Sequence, residues 1–420
     1  MNRLKSKNNK ILLFAPGFAP YSFSENIVNS KLALAFQDSG WEIHTISKVD
    51  DGPLYSNSWQ EPWTPLRDST YTVLYNHGTS ISRAIDLLRQ GIKMQFPIAG
   101  VRWAGRAVDL AMKLHKKHRF KVVLSRAPND IGHVPALHFS KATKVPWIAN
   151  WNDPPAHLWP MPYKNEINVL HKTVSRLLVS QVLKYASLVT FPSERLCRNT
   201  IKSINDSSVT QKARPIPHIG LSGYISSPRK PEKCFRICHA GNLSRERQPN
   251  AFFEGIALFT KNMSISHPFE VLIIGASDHE LIPLAENYGI AKHIKVFPGL
   301  NYLDTLTLLE QCDVLAIVEA PCDEGIFLPS KVTDYAQVGR PILAVSPLNG
   351  EVADLIGQTH SGELAACGNP ASIADAIGTL YHSWQHGKLE RNYPSTLLWE
   401  YFRPEEIIGR YEGMFSELGL

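Results

Sequence analysis

Short apolar runs alternate with longer amphipathic segments along nearly the whole chain, and this alternation restricts the fold more than any single motif does. In the first half, Ile11–Ala15, Trp41–Ile46, Thr72–Tyr75, Phe120–Leu124, Val145–Ala149 and Leu188–Phe191 are predicted strands. Glu25–Gln37, Val134–Lys141, Ile167–Tyr185 and Glu194–Lys202 are predicted helices between them. Runs apolar on both faces suit strands covered on both sides, and strands alternating with helices imply a parallel sheet between two helical layers.

The pattern breaks once, over residues 205–233, where Pro215, Pro217, Pro228 and Pro231 interrupt any period. A break of that kind reads as an interdomain linker or a loop-rich boundary. A second alternation follows, with strands predicted at Phe235–His239, Val271–Ile274, Ile294–Val296, Val314–Val318 and Ile342–Val345. Helices are predicted at Ala251–Thr260, Leu281–Tyr288, Leu303–Gln311 and Lys331–Val338, with Ala371–Ser383 and Pro404–Glu417 closing the chain. The expected fold class is α/β, two Rossmann-like domains facing each other across a cleft, with the active site at the carboxyl ends of the strands. The expected boundaries are 1–220 for an acceptor domain, 221–400 for a donor domain, and 401–420 for a helix returning toward the first domain.

Composition narrows the class. At 420 residues, 44% hydrophobic and 20% charged, the chain has ordinary globular make-up, and charge, Pro or Gly breaks every apolar run before it reaches membrane-spanning length. The basic start followed by Ile11–Ala19 imitates a secretory signal, but Pro16 and Gly17 interrupt it and a helix-strand pattern continues from it. Six cysteines without a CxxC pair fit a reducing compartment. The expected location is the cytoplasm, with peripheral attachment to the inner face of the cell membrane as its extension.

The net charge of +6 hides an asymmetry: residues 1–220 carry 29 Lys and Arg against 14 Asp and Glu, so this half stands at +15. The most basic stretch, 81–121, holds ten basic residues against Asp86 and Asp109. It reads as two helices in which Ile85, Leu88, Ile92, Val101, Val108, Ala111, Met112 and Leu114 interleave with the basic residues. Two readings stay open: a helix pair resting on an anionic membrane surface, and a solvated face packed on its own domain. Nucleic acid is not an expected partner, because no aromatic-basic platform or zinc-finger spacing is present.

There is no GxGxxG after a strand, no Walker-A GK[ST], no HExxH, no GxSxG and no DxD. The informative segments lie at strand ends of the second half. His239–Gln248 (HAGNLSRERQ) follows a strand and opens a helix, so backbone amides near Gly241 and the guanidinium of Arg247 can converge on an anion. Pro329, Ser330 and Lys331 start another helix at its positive end, and Asp334 falls one turn deeper on the same face, where its carboxylate can accept from ribose hydroxyls. Arg247 and Lys331 on a diphosphate, with Asp334 on a sugar ring, is the shape of a nucleotide-diphosphate site.

On these residues the segment Phe235–Ile356 resembles the donor half of family-4 glycosyltransferases with the GT-B fold, notably the bacterial polysaccharide and lipopolysaccharide branch. The matching stretches are His239–Gln248, 271–275 (VLIIG), 296–299 (VFPG), Leu309–Ile317, and Pro329 through Asp334 to Pro341. In the first half Ile11–Ser47 and 147–154 (WIANWNDP) are similar more loosely. The resemblance implies transfer of a sugar from a nucleotide-diphosphate donor to a saccharide or lipid-linked acceptor, with retention of configuration, no metal and no cofactor. It places Arg247 and Lys331 on the diphosphate, Asp334 on the ribose, and Gly299 beside the base. It also places Gly241, Asn242 and Ser330 in the donor pocket, and Ser22, Ser24 and Glu25 in a loop facing the donor from the first half.

Two departures stand out. The family's first phosphate-binding Arg aligns with Asn242, and its pair of glutamates reads here as Ile326 and Asp334, with Glu324 two positions out of register. Asp153 is the candidate on the acceptor side, with a plain turn role before Pro154 and Pro155 as the alternative. Two other outcomes remain open on the same fold: a sugar-nucleotide epimerase or hydrolase, and a non-catalytic scaffold.

Overall fold

The structure, a computed structural model, describes residues 9–21, 23–48, 59–74, 79–127, 130–164, 168–204, 207–228, 233–262, 267–275 and 278–420. They divide into two compact units. The first comprises the described residues up to Pro160, Lys164–Ser222 and Pro404–Leu420; the second comprises Met161–Tyr163 and Gly223–Arg403.

The first unit is built on strands β1 (Lys10–Phe14), β2 (Glu42–Lys48), β3 (Thr70–Val73), β4 (Val122–Ala127), β5 (Trp147–Trp151), β6 (Leu188–Phe191) and β7 (Ala213–Pro215). They form one parallel sheet in the order β3-β2-β1-β4-β5-β6-β7. Helices α1 (Ser24–Asp38), α2 (Ser80–Met94), α3 (Val101–His118), α4 (His133–Thr143), α5 (Val169–Tyr185), α6 (Glu194–Lys202) and α7 (Ser207–Lys212) lie in this part of the chain. The central strand shows why the sheet is covered on both sides: Ile11, Leu12, Leu13 and Phe14 all lose their whole surface to neighbours.

The second unit has strands β8 (Phe235–Ala240), β9 (Phe269–Ile274), β10 (Ile294–Phe297), β11 (Val314–Val318), β12 (Ile342–Ser346) and β13 (Gly362–Ala366). Their order, β10-β9-β8-β11-β12-β13, with every pairing parallel, is the doubly wound Rossmann order. Helices α8 (Pro249–Asn262), α9 (Asp278–Asn287), α10 (Tyr302–Glu310), α11 (Lys331–Val338), α12 (Glu351–Thr359), α13 (Pro370–Gln385), α14 (Leu389–Asn392) and α15 (Thr396–Phe402) belong to it. One core gathers Phe235, Phe252, Phe253, Phe259, Phe269 and Tyr381 between sheet and helices.

Among the elements that escape the sequence pattern are the helices α7, α14 and α15, the strands β7 and β13, and α12. β7 lies inside the stretch that reads as a linker, because a three-residue edge strand ending in Pro215 has no room to show a period. At the other sheet edge, β13 is half-exposed and its first residue needs no side chain: a Cβ on Gly362 would stand 2.0 Å from the Ile342 carbonyl oxygen. α12, just before it, was likewise absent from the pattern.

The last helix, α16 (Pro404–Glu417), is part of the first unit. Phe415 packs against Trp41 and Phe36 at ring-centroid distances of 4.7 and 5.9 Å, and Tyr411 stands edge-on to Phe36 at 5.4 Å. Arg214 also pairs with Glu417 at 2.8 Å.

The basic stretch forms the two expected helices, α2 and α3, and they are asymmetric. In α3 the apolar residues Val101, Val108, Ala111 and Leu114 are buried, and the Trp103 indole N–H donates to the Ser47 carbonyl at 3.0 Å. Its amphipathic pattern is therefore spent on its own domain. In α2, by contrast, Ile81, Ile85, Leu88 and Ile92 remain 75, 64, 67 and 72% exposed along one stripe. Part of the basic charge is answered locally, since Arg102 and Arg106 both pair with Asp86 and Lys93 pairs with Asp109. No helix among the described residues is long and apolar enough to cross a membrane.

Candidate functional site

In a doubly wound sheet the strand order reverses at one point, and the crevice there, at the carboxyl ends, is where ligands lodge. In the second unit this point lies between β8 and β11. Tyr335 of α11 bridges the two strands: its hydroxyl accepts from the Ala240 amide at 2.9 Å and donates to the Ala316 carbonyl at 3.2 Å. That fully buried phenol fixes α11 over the switch point, so the helix presents its amino-terminal end there.

His239, also fully buried, ends the apolar part of β8. Its Nδ1 lies 3.0 Å from the Ala316 carbonyl, which only a donor satisfies, so Nδ1 carries the proton and Nε2 is left as an acceptor. Lys331 Nζ sits 3.2 Å from that Nε2. Burial, then Lys331 and Arg247, hold the imidazole well below its ordinary pKa, in agreement with a neutral ring. The lysine reaches the strand end because residue 241 has no side chain: at φ +117° a Cβ there would stand 2.8 Å from Nζ. Gly241 is thus required twice, by its backbone and by the ammonium beside it.

Arg247 donates to the Val318 carbonyl at 3.1 Å from a short 3₁₀ turn, Arg245–Arg247. Among the described residues neither Arg247 nor Lys331 forms an ion pair with a carboxylate. Burial first and Arg247 second push the Lys331 pKa well below its usual range. Two neighbouring cations at a helix amino terminus, answered by a histidine and a carbonyl, make a place for an anion.

Asp334 lies one turn into α11, where its carboxylate accepts from the Tyr302 hydroxyl at 2.6 Å. Ser330 precedes α11 and its hydroxyl caps nothing in the helix. Gly299 lies in the loop after β10, and Asn242 is exposed just past Gly241. Ile326, which stands where the resemblance calls for a glutamate, is 2% exposed and is an interior apolar contact. Glu324, half-buried, precedes Gly325, which bridges to Gly350.

Sequence reasoning missed Glu319, the first residue beyond β11. It is 7% exposed, its Oε2 accepts from Ser346 Oγ at 2.6 Å, and burial pushes its pKa up to about 7 against the opposing pull of Arg247 and Lys331. Its position at a strand end beside the switch point was the available signal. Because an unfolded Glu titrates near 4.5, the native state holds this proton over pH values at which the unfolded chain has released it. The group's contribution to stability is therefore complete below about 4.5 and lost as pH rises through about 7. Melting temperatures of the ligand-free protein between pH 5 and 8 are expected to fall less steeply in Glu319→Gln than in the wild type. Parallel curves would show that Glu319 does not titrate there.

The first unit has its own polar cluster at its switch point, between β1 and β4. Arg126, 5% exposed, donates to Asn29 Oδ1 at 2.7 Å, Asn152 Oδ1 at 2.8 Å and the Tyr411 hydroxyl at 3.1 Å. Glu25, at the start of α1, accepts from Asn29 Nδ2 at 2.8 Å and from Asn152 Nδ2 at 2.8 and 2.7 Å. Burial raises its pKa in spite of the Arg126 charge and these hydrogen bonds. Asp153 follows Asn152; burial and then the Glu25 charge push its carboxyl up to about 7, and among the described residues it has no hydrogen-bond partner. Ser24 opens α1 as an exposed residue, and Ser22 lies outside the described residues. His157, with burial holding its pKa near 4, faces Ser175 Oγ at 2.9 Å, and Ser175 donates to Asp130 at 2.6 Å, so it tethers the loop after β5 to α5.

Residues 224–393 match the family model described as glycosyl transferases group 1. No curated protein matches the chain by sequence. Among solved structures, sucrose-phosphate synthase from Thermosynechococcus elongatus superposes with a TM-score of 0.70 at 13% identity, covering 98% of this chain and 99% of that one. Anabaena HepE in complex with UDP and glucose gives 0.67 at 15% identity, covering 98% and 100%. WaaG, a glycosyltransferase involved in lipopolysaccharide biosynthesis, gives 0.57 at 11% identity, covering 93% and 94%. At such identities the likeness is one of fold, the two parallel-sheet α/β domains of GT-B enzymes. The glycosyl transferases group 1 match thus falls on the second unit, and the likeness of fold to GT-B glycosyltransferases runs along the whole chain.

Proposed function

We propose that the enzyme moves a sugar from a nucleotide-diphosphate-sugar to a saccharide or lipid-linked acceptor, with retention of configuration and without a metal, in the synthesis of a cell-surface polysaccharide or glycolipid. The observation that carries this reading is the pair of neighbouring cations Arg247 and Lys331, with Lys331 at the start of α11 standing beside side-chain-free Gly241. When the glycosidic bond to the diphosphate breaks, negative charge grows on the phosphate oxygens. Fixed cations and the amides at the helix start stabilise that charge without reorganising. In a retaining reaction of this type the leaving phosphate itself takes the acceptor's proton. In this reading Asp334, whose carboxylate accepts from Tyr302, takes the ribose hydroxyls, with Gly299 beside the base and Gly241, Asn242 and Ser330 around the phosphates. On the acceptor side the reading uses Asp153, whose carboxyl near neutral pH both holds and releases a proton, and the loop ending in Ser24 and Glu25. HepE, which shares the fold, was crystallised with UDP and glucose, and this supports a uridine donor.

The test is a thermal-shift panel of UDP-, GDP-, ADP- and CMP-sugars, run with product assays. One nucleotide class is expected to raise the melting temperature, since ligand at 100 times its dissociation constant adds about 2.7 kcal/mol. Turnover of that donor without any acceptor would favour an epimerase or hydrolase, and silence toward every nucleotide would favour a scaffold.

The reading extends to an anionic membrane surface, carried by α2. Its exposed stripe of Ile81, Ile85, Leu88 and Ile92 has Arg89 and Lys93 along one side, the latter paired with Asp109, and an apolar stripe bordered by basic residues suits a helix lying in a lipid interface. Sedimentation with phosphatidylglycerol vesicles is expected to pull down the protein more than with phosphatidylcholine alone. Ile85→Glu combined with Ile92→Glu should reduce that partitioning at least about tenfold. Equal partitioning of wild type and variant would remove the membrane from the proposal.

A further inference from the structure

Glu42, His44 and His118 meet at the amino-terminal edge of the first sheet, at the opposite end of the strands from Arg126 and Asp153. Glu42 opens β2, His44 stands two residues later on the same strand face, and His118 is the last residue of α3. His44 Nε2 lies 2.7 Å and His118 Nδ1 3.6 Å from Glu42 Oε1, and one ligand atom from each residue falls within 4.8 Å of the other two. The two imidazoles are 4.1 Å apart. Phe120 flanks both, at 5.4 Å from His44 and 5.9 Å from His118.

We infer that this cluster is a binding site for one divalent transition-metal ion of the Zn²⁺ type. The donor set is two imidazole nitrogens and one carboxylate oxygen, which suits zinc and its neighbours, whereas Mg²⁺ and Ca²⁺ take oxygen donors. Ligands about 2.0–2.1 Å from a tetrahedral ion lie about 3.3 Å from one another. The observed separations of 2.7 and 3.6 Å straddle that value, so small side-chain rotations close the site. The ring nitrogen of His44 turned away from the cluster, Nδ1, is 3.3 Å from the Tyr71 hydroxyl, the kind of outer partner that orients a metal-bound histidine. The fourth position is left to water.

Lys10 argues in the other direction. Its ammonium already pairs with Glu42 at 2.9 Å, so an incoming ion must displace it. The displaced side chain swings into solvent, and the doubly charged ion gains two nitrogen donors that an ammonium cannot use. Bound there, the ion joins the start of β2 to the end of α3 and acts as a staple of the first unit. It stands at the wrong end of the strands to take part in sugar transfer.

The test uses the full chain, freed of metal by dialysis against a chelator and titrated calorimetrically with ZnCl₂. One equivalent is expected to bind with a dissociation constant below about 10 µM. His118→Ala and Glu42→Gln should each weaken binding by about 10-fold or more. Lys10→Met, which removes the competing cation and no ligand, should tighten it; this variant decides the matter even where a ligand variant fails to fold. No saturable binding, or the same affinity in all four proteins, as expected of adventitious binding to other histidines, would overturn the inference. So would Lys10→Met that binds no more tightly than the wild type.

Discussion

Replacing Lys331 by Ala is expected to lower kcat/KM for sugar transfer by on the order of 10²–10³-fold, the usual effect of removing one preorganised charge donor from a transition state. Arg247→Ala should fall in the same range. The two losses are not expected to add, because both cations answer the same diphosphate and, in its absence, Arg247 depresses the proton affinity of Lys331. The measurement is steady-state kinetics with the donor class that stabilises the protein, beside melting curves of the ligand-free variants. Lys331→Ala removes a partly buried charge that lies at the positive end of a helix, beside Arg247, and whose hydrogen-bond partner among the described residues is a neutral imidazole, so its ligand-free stability should hold or rise. Gly241→Ala provides an independent check on geometry: its Cβ would press on Lys331 Nζ and strain a left-handed backbone, so activity should drop with both cations still present. Unchanged transfer in Lys331→Ala and Arg247→Ala would overturn the proposed donor site, whatever the panel of nucleotides shows.

The largest stability effect is expected where α16 meets α1. Phe36 is fully buried and touches Trp41, Tyr411 and Phe415. Phe36→Ala should cost about 3–5 kcal/mol, from lost transfer energy and the cavity left among rings that cannot collapse. Tyr411→Phe keeps that packing and removes one acceptor from buried Arg126, so its cost should be smaller, about 1–3 kcal/mol. The comparison matters because Arg126 also positions Asn29 and Asn152, which hold Glu25. Denaturant melts give both values. A Phe36→Ala cost no larger than that of Tyr411→Phe would mean that ring packing is not what secures the last helix.

Much of the architecture was legible before any coordinates, for a simple reason. Strands covered on both faces must be continuously apolar, and runs such as 314–318 and 342–345 have no other use in a chain of this composition. The strands that escaped the pattern, β7 and β13, are sheet edges, half-solvated and short, where burial does not impose a period. Arg247 and Lys331 stood out as candidates for a related reason: each lies in a segment that leaves a buried strand and opens a helix.

Other features depend on atoms distant in sequence. Whether Glu319 is a solvated surface acid or a buried carboxyl titrating near neutrality depends on Ser346 and on helices that no local pattern mentions. The same holds for His239, whose tautomer is set by a carbonyl on a neighbouring strand, and for His44 and His118, which meet only because β2 and the end of α3 come together. The basic helix pair is the clearest case. Periodicity made α2 and α3 equally amphipathic, but packing buried the apolar side of α3 and left that of α2 in solvent. Periodicity is a property of consecutive residues and survives in the sequence; burial, proton affinity and ligand geometry are properties of neighbours, and only the tertiary structure chooses them.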